Sequence, residues 1–168
     1  MPTVVLKLGN DISTDVIYPG RYMATVLPSE TPQYAFADHV EFNTKLKTQL
    51  VPSGSIIVAG KNFGCGSSRE QATSALKGYD LTIVAEGFAR IFLQNSINLG
   101  LKIVEAPGIQ ASEGDELEVG AESVRNLTTG TSARIVQLPK ARQAIIDAGG
   151  LIQYTRTLVL RQRGMIQE

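Results

Sequence analysis

The stretch from Ser55 to Pro107 constrains the fold more than any other part of the chain. Three short, β-branched apolar runs, "SIIVAG" (55–60), "LTIVAEG" (81–87) and "LKIVEAP" (101–107), alternate with "SREQATSALKG" (68–78) and "FARIFLQNSINLG" (88–100). Continuous apolar runs of this length suit strands buried on both faces, which is the signature of a parallel sheet. The intervening segments carry helix spacing, so the repeat reads as right-handed βαβ units. In the first helix Ser68 is expected near the N-cap and Gly78 at the stop. In the second, Phe88, Ile91, Phe92 and Leu99 are expected on one buried face. Asn95 falls on that stripe and reads as a buried, satisfied polar group.

The flanks extend this frame. "TVVLKLG" (3–9) reads as a further strand, followed by the polar "NDISTDVIYPGRYM" (10–23) with a Pro-Gly turn. "PSETPQYAFADHVEFNTKLK" (28–47) has a helix start signal at Ser29 and two short helices over 34–47. After Pro107 the pattern switches to short alternating runs, "GDELEVG", "ESVRNLT" and "TSARIVQL", which predict an antiparallel meander. "PKARQAIIDAGGLIQYTRTL" (139–158) closes the chain with one or two helices. The class is α/β, a parallel βαβ core with an added antiparallel β segment, read as one domain over 1–168.

Charge and composition narrow the functions. Lys+Arg and Asp+Glu both total 16. This balance argues against a nucleic-acid binder, and the mildly basic "RTLVLRQRG" reads as a solvated end. No apolar run approaches the roughly 18 residues of a membrane span. "MPTVVLKLGN" has a strand's layout rather than a signal peptide's, so the cytoplasm is the expected compartment. With one cysteine and one histidine, the chain has no disulfide and no cysteine or histidine metal site of its own.

The polar material is concentrated in "GKNFGCGSSREQA" (60–72), between a strand's C-terminal end and a helix N-terminus. Ligands of α/β sheets bind at such ends, and a helix N-terminus offers free N–H groups and partial positive charge. Gly64 and Gly66 permit a tight turn and close backbone approach. Arg69, in the first helical turn, can fork onto a carboxylate or phosphate, yet a cation disfavours the positive end of a helix. An anion nearby would resolve that conflict, with Glu70 as the local alternative. The loop is neither a P-loop, which needs a lysine before the serine, nor a nucleophile elbow, which needs a closing glycine. Nothing in the sequence brings Cys65 and His39 together, and a small, near-buried thiol is the expected role for Cys65.

"GKNFGCGSSRE" resembles the Gly-Ser-Ser-Arg-Glu signature of the swivelling β/β/α domain in the aconitase superfamily. "GNDISTDVIYPGRY", "EGFARIFLQNSINLGL" and "AGGLIQY" resemble further segments of that family, in order, along nearly the whole chain. Within the superfamily the resemblance is strongest to the free-standing small subunits of the isopropylmalate dehydratase family, in their short archaeal-type form. It implies a hydro-lyase that dehydrates a small hydroxy-dicarboxylate and rehydrates the neighbouring carbon. It implies Ser67 as the base, Arg69 as the carboxylate clamp, Ser68 as a substrate contact and Asp15 as an acidic partner that orients Arg69. Ser67 and Ser68 each have helix capping as a competing role. It also implies that Met23, Ala24 and Thr25 face the variable part of the substrate.

The catalytic [4Fe–4S] cluster takes three cysteines, so the resemblance puts it on a large subunit. The absence of an arginine after Arg21 favours an apolar substituent, as in isopropylmalate. The small Ala24 leaves room for 2,3-dimethylmalate or citramalate, with homoaconitate or citrate as further alternatives. A carboxylate-binding module without catalysis is the competing class. Gln71 departs from the family's usual histidine and is expected to alter packing behind the site. The segment 21–37 is expected to be mobile without its partner, having little to pack on.

Overall fold

The computed structural model describes residues 2–165. Strands β1 (Val4–Lys7), β2 (Ile56–Ala59), β3 (Thr82–Ala85) and β4 (Lys102–Glu105) form one parallel sheet in the order β1-β2-β3-β4. The helices are α1 (Thr14–Ile17), α2 (Val40–Lys47), α3 (Glu70–Gly78), α4 (Arg90–Leu99), α5 (Lys140–Asp147) and α6 (Leu151–Gln162). Strands β5 (Leu117–Val119), β6 (Ser123–Asn126) and β7 (Ser132–Arg134) form the antiparallel meander.

The period of two along each parallel strand sorts the core into two halves. Ile57, Ala59, Ile83 and Ala85 pack with Phe42, Leu76, Phe92 and Ile97 of the helices. Ile56, Val58 and Val84 face the other way, onto Leu117, Val124 and Ala133 of the meander. The layers are therefore helices, parallel sheet and antiparallel sheet. This is the β/β/α arrangement expected, and it explains why β2 is buried at every position.

Several local expectations need correction. Ser29 starts no helix. Thr31–Tyr34 is a 3-10 turn after Glu30, and α2 begins only after His39, whose Nδ1 accepts the Phe42 N–H at 3.3 Å. The buried Phe36 takes φ +51° between them, which no continuous helix allows. Ile91 is 43% exposed, and the buried positions of α4 are Phe92, Ser96 and Ile97. The phase is set by Phe92, whose ring meets Phe63 edge-on at 5.2 Å. Asn95 is half-buried, and the fully buried polar group is its neighbour Ser96, which donates to the Phe92 carbonyl at 2.8 Å.

The segment 21–37 has more to pack on than expected. Thr31, Ala35 and Phe36 are fully buried, Thr31 bonds Ser74 of α3 at 2.9 Å, and Tyr22 stacks on Tyr34 at 4.1 Å. The aromatic rings and the Thr31 hydroxyl anchor its second half. Met23 to Glu30 is mostly exposed.

Candidate active site

The strand order contains no reversal, so the sheet by itself offers no switch-point crevice. The second wall comes instead from the polar segment after β1. Asn10 to Thr14 runs beside the loop that follows β2. Gly64 N–H donates to the Ile12 carbonyl at 2.7 Å, Asp11 N–H to Lys61 at 2.9 Å and Thr14 N–H to Cys65 at 2.8 Å. Asn10 Oδ1 accepts the Lys61 N–H at 2.8 Å, and Asn62 donates to Asp11 at 2.8 Å. On the other side the Phe63 N–H donates to the Gly87 carbonyl at 3.0 Å, and the Phe63 carbonyl accepts the Ala89 N–H at 2.9 Å.

Gly64 and Gly66 serve different needs. Both have positive φ, +80° and +91°. A Cβ on Gly64 would lie 2.2 Å from the Phe92 ring, whereas one on Gly66 would meet nothing nearer than 3.8 Å. Gly64 permits both the turn and close packing; Gly66 permits the turn alone.

Ser67 is exposed at the tip of this loop. Its carbonyl accepts the Thr14 hydroxyl at 3.0 Å, and its Oγ lies 3.3 Å from the same hydroxyl. Arg69, not Ser68, occupies the N-cap of α3, with extended φ −71° and ψ 100° and no side-chain cap. Ser68 is exposed one residue before it. The helix starts late because the Arg69 side chain is held elsewhere: it pairs with Asp15 and donates to the Tyr18 carbonyl at 3.3 Å.

Asp15 in turn accepts the Gly20 N–H at 2.8 Å. That N–H first, and Arg69 second, hold the Asp15 carboxyl below the ordinary aspartate range. The anion that answers Arg69 is therefore Asp15, from 54 positions upstream, and not Glu70. The Arg69 side chain is only 19% exposed, while that of Asp15 is 63% exposed. A guanidinium has five N–H donors. Those not spent on Asp15 and Tyr18 remain for a ligand.

The structure brings Asp15, Gly64, Gly66, Ser67 and Arg69 together. Met23, Ala24 and Thr25 form a separate arm. Met23 and Ala24 are exposed and Thr25 half-buried. Gln71 Nε2 donates to the Met23 carbonyl at 3.4 Å, which ties this arm to the first turn of α3. The buried Tyr18 phenol donates to the Tyr22 carbonyl at 3.2 Å, just ahead of this arm, and burial pushes its pKa above its ordinary value. His39 caps α2 while Cys65 lies half-buried in the loop, so the two have separate roles.

Thr14 was missed as a site residue. The available signal was its place between Ser13, which caps α1, and Asp15, in a polar triplet ahead of an apolar run.

The model of the aconitase C-terminal domain matches residues 11–107, more than half of the chain and both walls of the site. The chain belongs to the aconitase C-terminal domain family. A relative from Methanocaldococcus jannaschii named isopropylmalate/citramalate isomerase small subunit is 45% identical over 90% of this chain and 91% of its own length. A 3-isopropylmalate dehydratase small subunit from Pyrobaculum calidifontis is 47% identical, covering 88% and 92% of the two chains. Among solved structures, a 3-isopropylmalate dehydratase from Methanocaldococcus jannaschii superposes with a TM-score of 0.86 at 35% identity, over 96% of each chain. No helix among the described residues is long and apolar enough to cross a membrane.

Proposed function

We propose that this chain is the small subunit of a two-subunit iron–sulfur hydro-lyase of leucine biosynthesis in the cytoplasm. The enzyme interconverts 2-isopropylmalate and 3-isopropylmalate by removing water and returning it at the neighbouring carbon. The observation that carries the reading is the Asp15–Arg69 ion pair beside the Thr14-held Ser67, on a glycine loop fixed from both sides. Relatives named as small subunits of such enzymes, aligned over about nine-tenths of the chain, support it. The whole of 1–168 acts as one domain in this reading.

The chain does not fit the cluster itself. It has one cysteine, and among the described residues no three His, Cys, Asp or Glu side chains gather to hold a metal. In this reading the cluster belongs to a large-subunit partner, where it would act as Lewis acid on the substrate hydroxyl. This chain supplies the proton chemistry and the grip on the substrate. Arg69 holds a substrate carboxylate with its free donors, and Asp15 fixes the guanidinium so that little freedom is lost on binding. Ser67 Oγ takes the proton from the carbon next to that carboxylate. A serine hydroxyl is too weak a base unless its charged form is stabilised. Arg69 and the N-terminus of α3 supply the positive field. Ser68, exposed beside them, is placed to contact the same carboxylate.

The substrate follows from the arm. No lysine or arginine occurs from Tyr22 to Thr44, so a third carboxylate there would be left unpaired. Met23, Ala24 and Thr25 suit an apolar substituent instead. Citramalate is the second reading, favoured by the small Ala24 and by the dual name of the 45%-identical relative.

The test is to assemble the chain with a large subunit anaerobically, reconstitute the cluster, and assay isopropylmalate, citramalate, 2,3-dimethylmalate and homoaconitate in parallel. Isopropylmalate should have the highest kcat/KM. Preference for homoaconitate would overturn the substrate assignment. A formed, cluster-loaded complex without turnover of any of them would favour a carboxylate-binding module.

A further inference from the structure

Thr14 is 2% exposed, and its backbone is fixed at both ends. Its N–H bonds the Cys65 carbonyl at 2.8 Å, and its carbonyl accepts the Tyr18 N–H at 2.8 Å. Its hydroxyl lies between two atoms of one residue, 3.0 Å from the Ser67 carbonyl and 3.3 Å from Ser67 Oγ. Among the described residues it is the hydrogen-bond partner of that Oγ.

A threonine hydroxyl has one proton and two lone pairs. While Ser67 is neutral, one arrangement satisfies every group: Thr14 donates to the Ser67 carbonyl, and Ser67 Oγ–H donates to Thr14 Oγ1. An ionised Ser67 has no proton to give. Thr14 must then rotate its own proton from the carbonyl to the charged Oγ, a turn about one bond with both acceptors already within reach. Hydrogen bonds to a charged group are about twice as strong as neutral ones. The move therefore stabilises the basic form of Ser67 selectively.

We propose that Thr14 is a positioning residue for Ser67, a two-position donor that holds the neutral serine in place and then stabilises its charged form. The inference rests on the reading of Ser67 as the base. It is distinct from the carboxylate grip of Arg69 and adds a requirement for a donor at position 14.

The test uses the assembled, cluster-loaded enzyme. Thr14→Val keeps the side-chain shape and removes the donor. Its kcat should fall about ten- to hundredfold, the loss of one hydrogen bond to a charged group, with KM within about twofold of wild type. The acidic limb of the kcat–pH profile should move up by about one to two units, because the charged form of the base is disfavoured. Thr14→Ser should restore kcat to within about threefold and return the limb to its place. Should the valine variant not fold, Thr14→Cys retains the volume with a weak donor, and the same loss and shift are expected. Wild-type kcat and pH profile in Thr14→Val or Thr14→Cys would overturn the proposal while Ser67→Ala remained inactive. Retained turnover in Ser67→Ala would instead overturn the reading of the base on which it rests.

Discussion

From Gly60 to Cys65 nearly every residue is hydrogen-bonded to a segment on one side or the other, to Gly9 through Thr14 or to Gly87 and Ala89. From Met23 to Glu30 the backbone bonds are turns onto its own neighbours, Met23 to Gly20, Thr25 to Tyr22 and Glu30 to Leu27. Val26 and Leu27 are 66% and 54% exposed. The two segments sit at the same end of the fold under opposite regimes. A base and a carboxylate clamp must hold fixed geometry before substrate arrives, because preorganisation is what lowers the barrier. The arm that we propose faces the variable part of the substrate needs only its ends fixed, here by the Tyr22–Tyr34 stack, the Arg21–Asp38 pair and the Gln71 bond to Met23.

The contrast is easiest to break in the loop. Gly64→Ala drives a Cβ into Phe92 and strains a positive φ, so it should cost about 3 kcal/mol or more in urea denaturation. Gly66→Ala has the strain without the clash and should cost only about 1–2 kcal/mol. Equal losses for the two would mean that Phe92 does not set the loop's position. Arg69→Lys keeps the charge but loses the planar fork shared with Asp15, and kcat/KM should drop about a hundredfold in the assembled enzyme.

The arm should respond more softly. Gln71→Ala frees the Met23 carbonyl and should raise KM about two- to fivefold while kcat stays near wild type. A loss in kcat instead would mean that the arm is as preorganised as the loop. The smallest effect is expected from pH on the Asp15 pair. The Asp15 pKa is lowered in the folded protein, so its contribution is present above the unfolded value near 4 and is lost as pH falls through the folded value. The Tm difference between wild type and Asp15→Asn should stay flat from pH 8 to about 5 and shrink below about 4.

The sequence was informative where short-range chemistry decides the outcome. The β-branched runs at 55–60, 81–87 and 101–107 became β2, β3 and β4 because they are apolar on both sides of the pleat. The alternating runs after Pro107 became the meander. What escaped depends on distant partners. That the meander covers the face bearing Val58 and Val84 is a long-range contact with no local mark. Ser68 looked like a cap because serine usually is one; Asp15, far upstream, draws Arg69 into the N-cap instead. Ile91 looked buried on spacing alone, but Phe92 packs on Phe63 and turns the neighbouring position outward. Asp15, Ser67 and Arg69 were readable as a set from the motifs. Thr14 beneath Ser67 was not, because a threonine at a short helix start has many roles and only the fold shows what it touches.

The central claim is that Ser67, held by a fixed loop, is the base in an active site shared with a partner subunit. The most direct measurement is kcat of Ser67→Ala in the assembled, cluster-loaded enzyme, with complex formation measured alongside. The account predicts a loss of about a hundred- to ten-thousandfold, with the complex intact and KM little changed. A variant that keeps kcat within about threefold of wild type in an intact complex would contradict it.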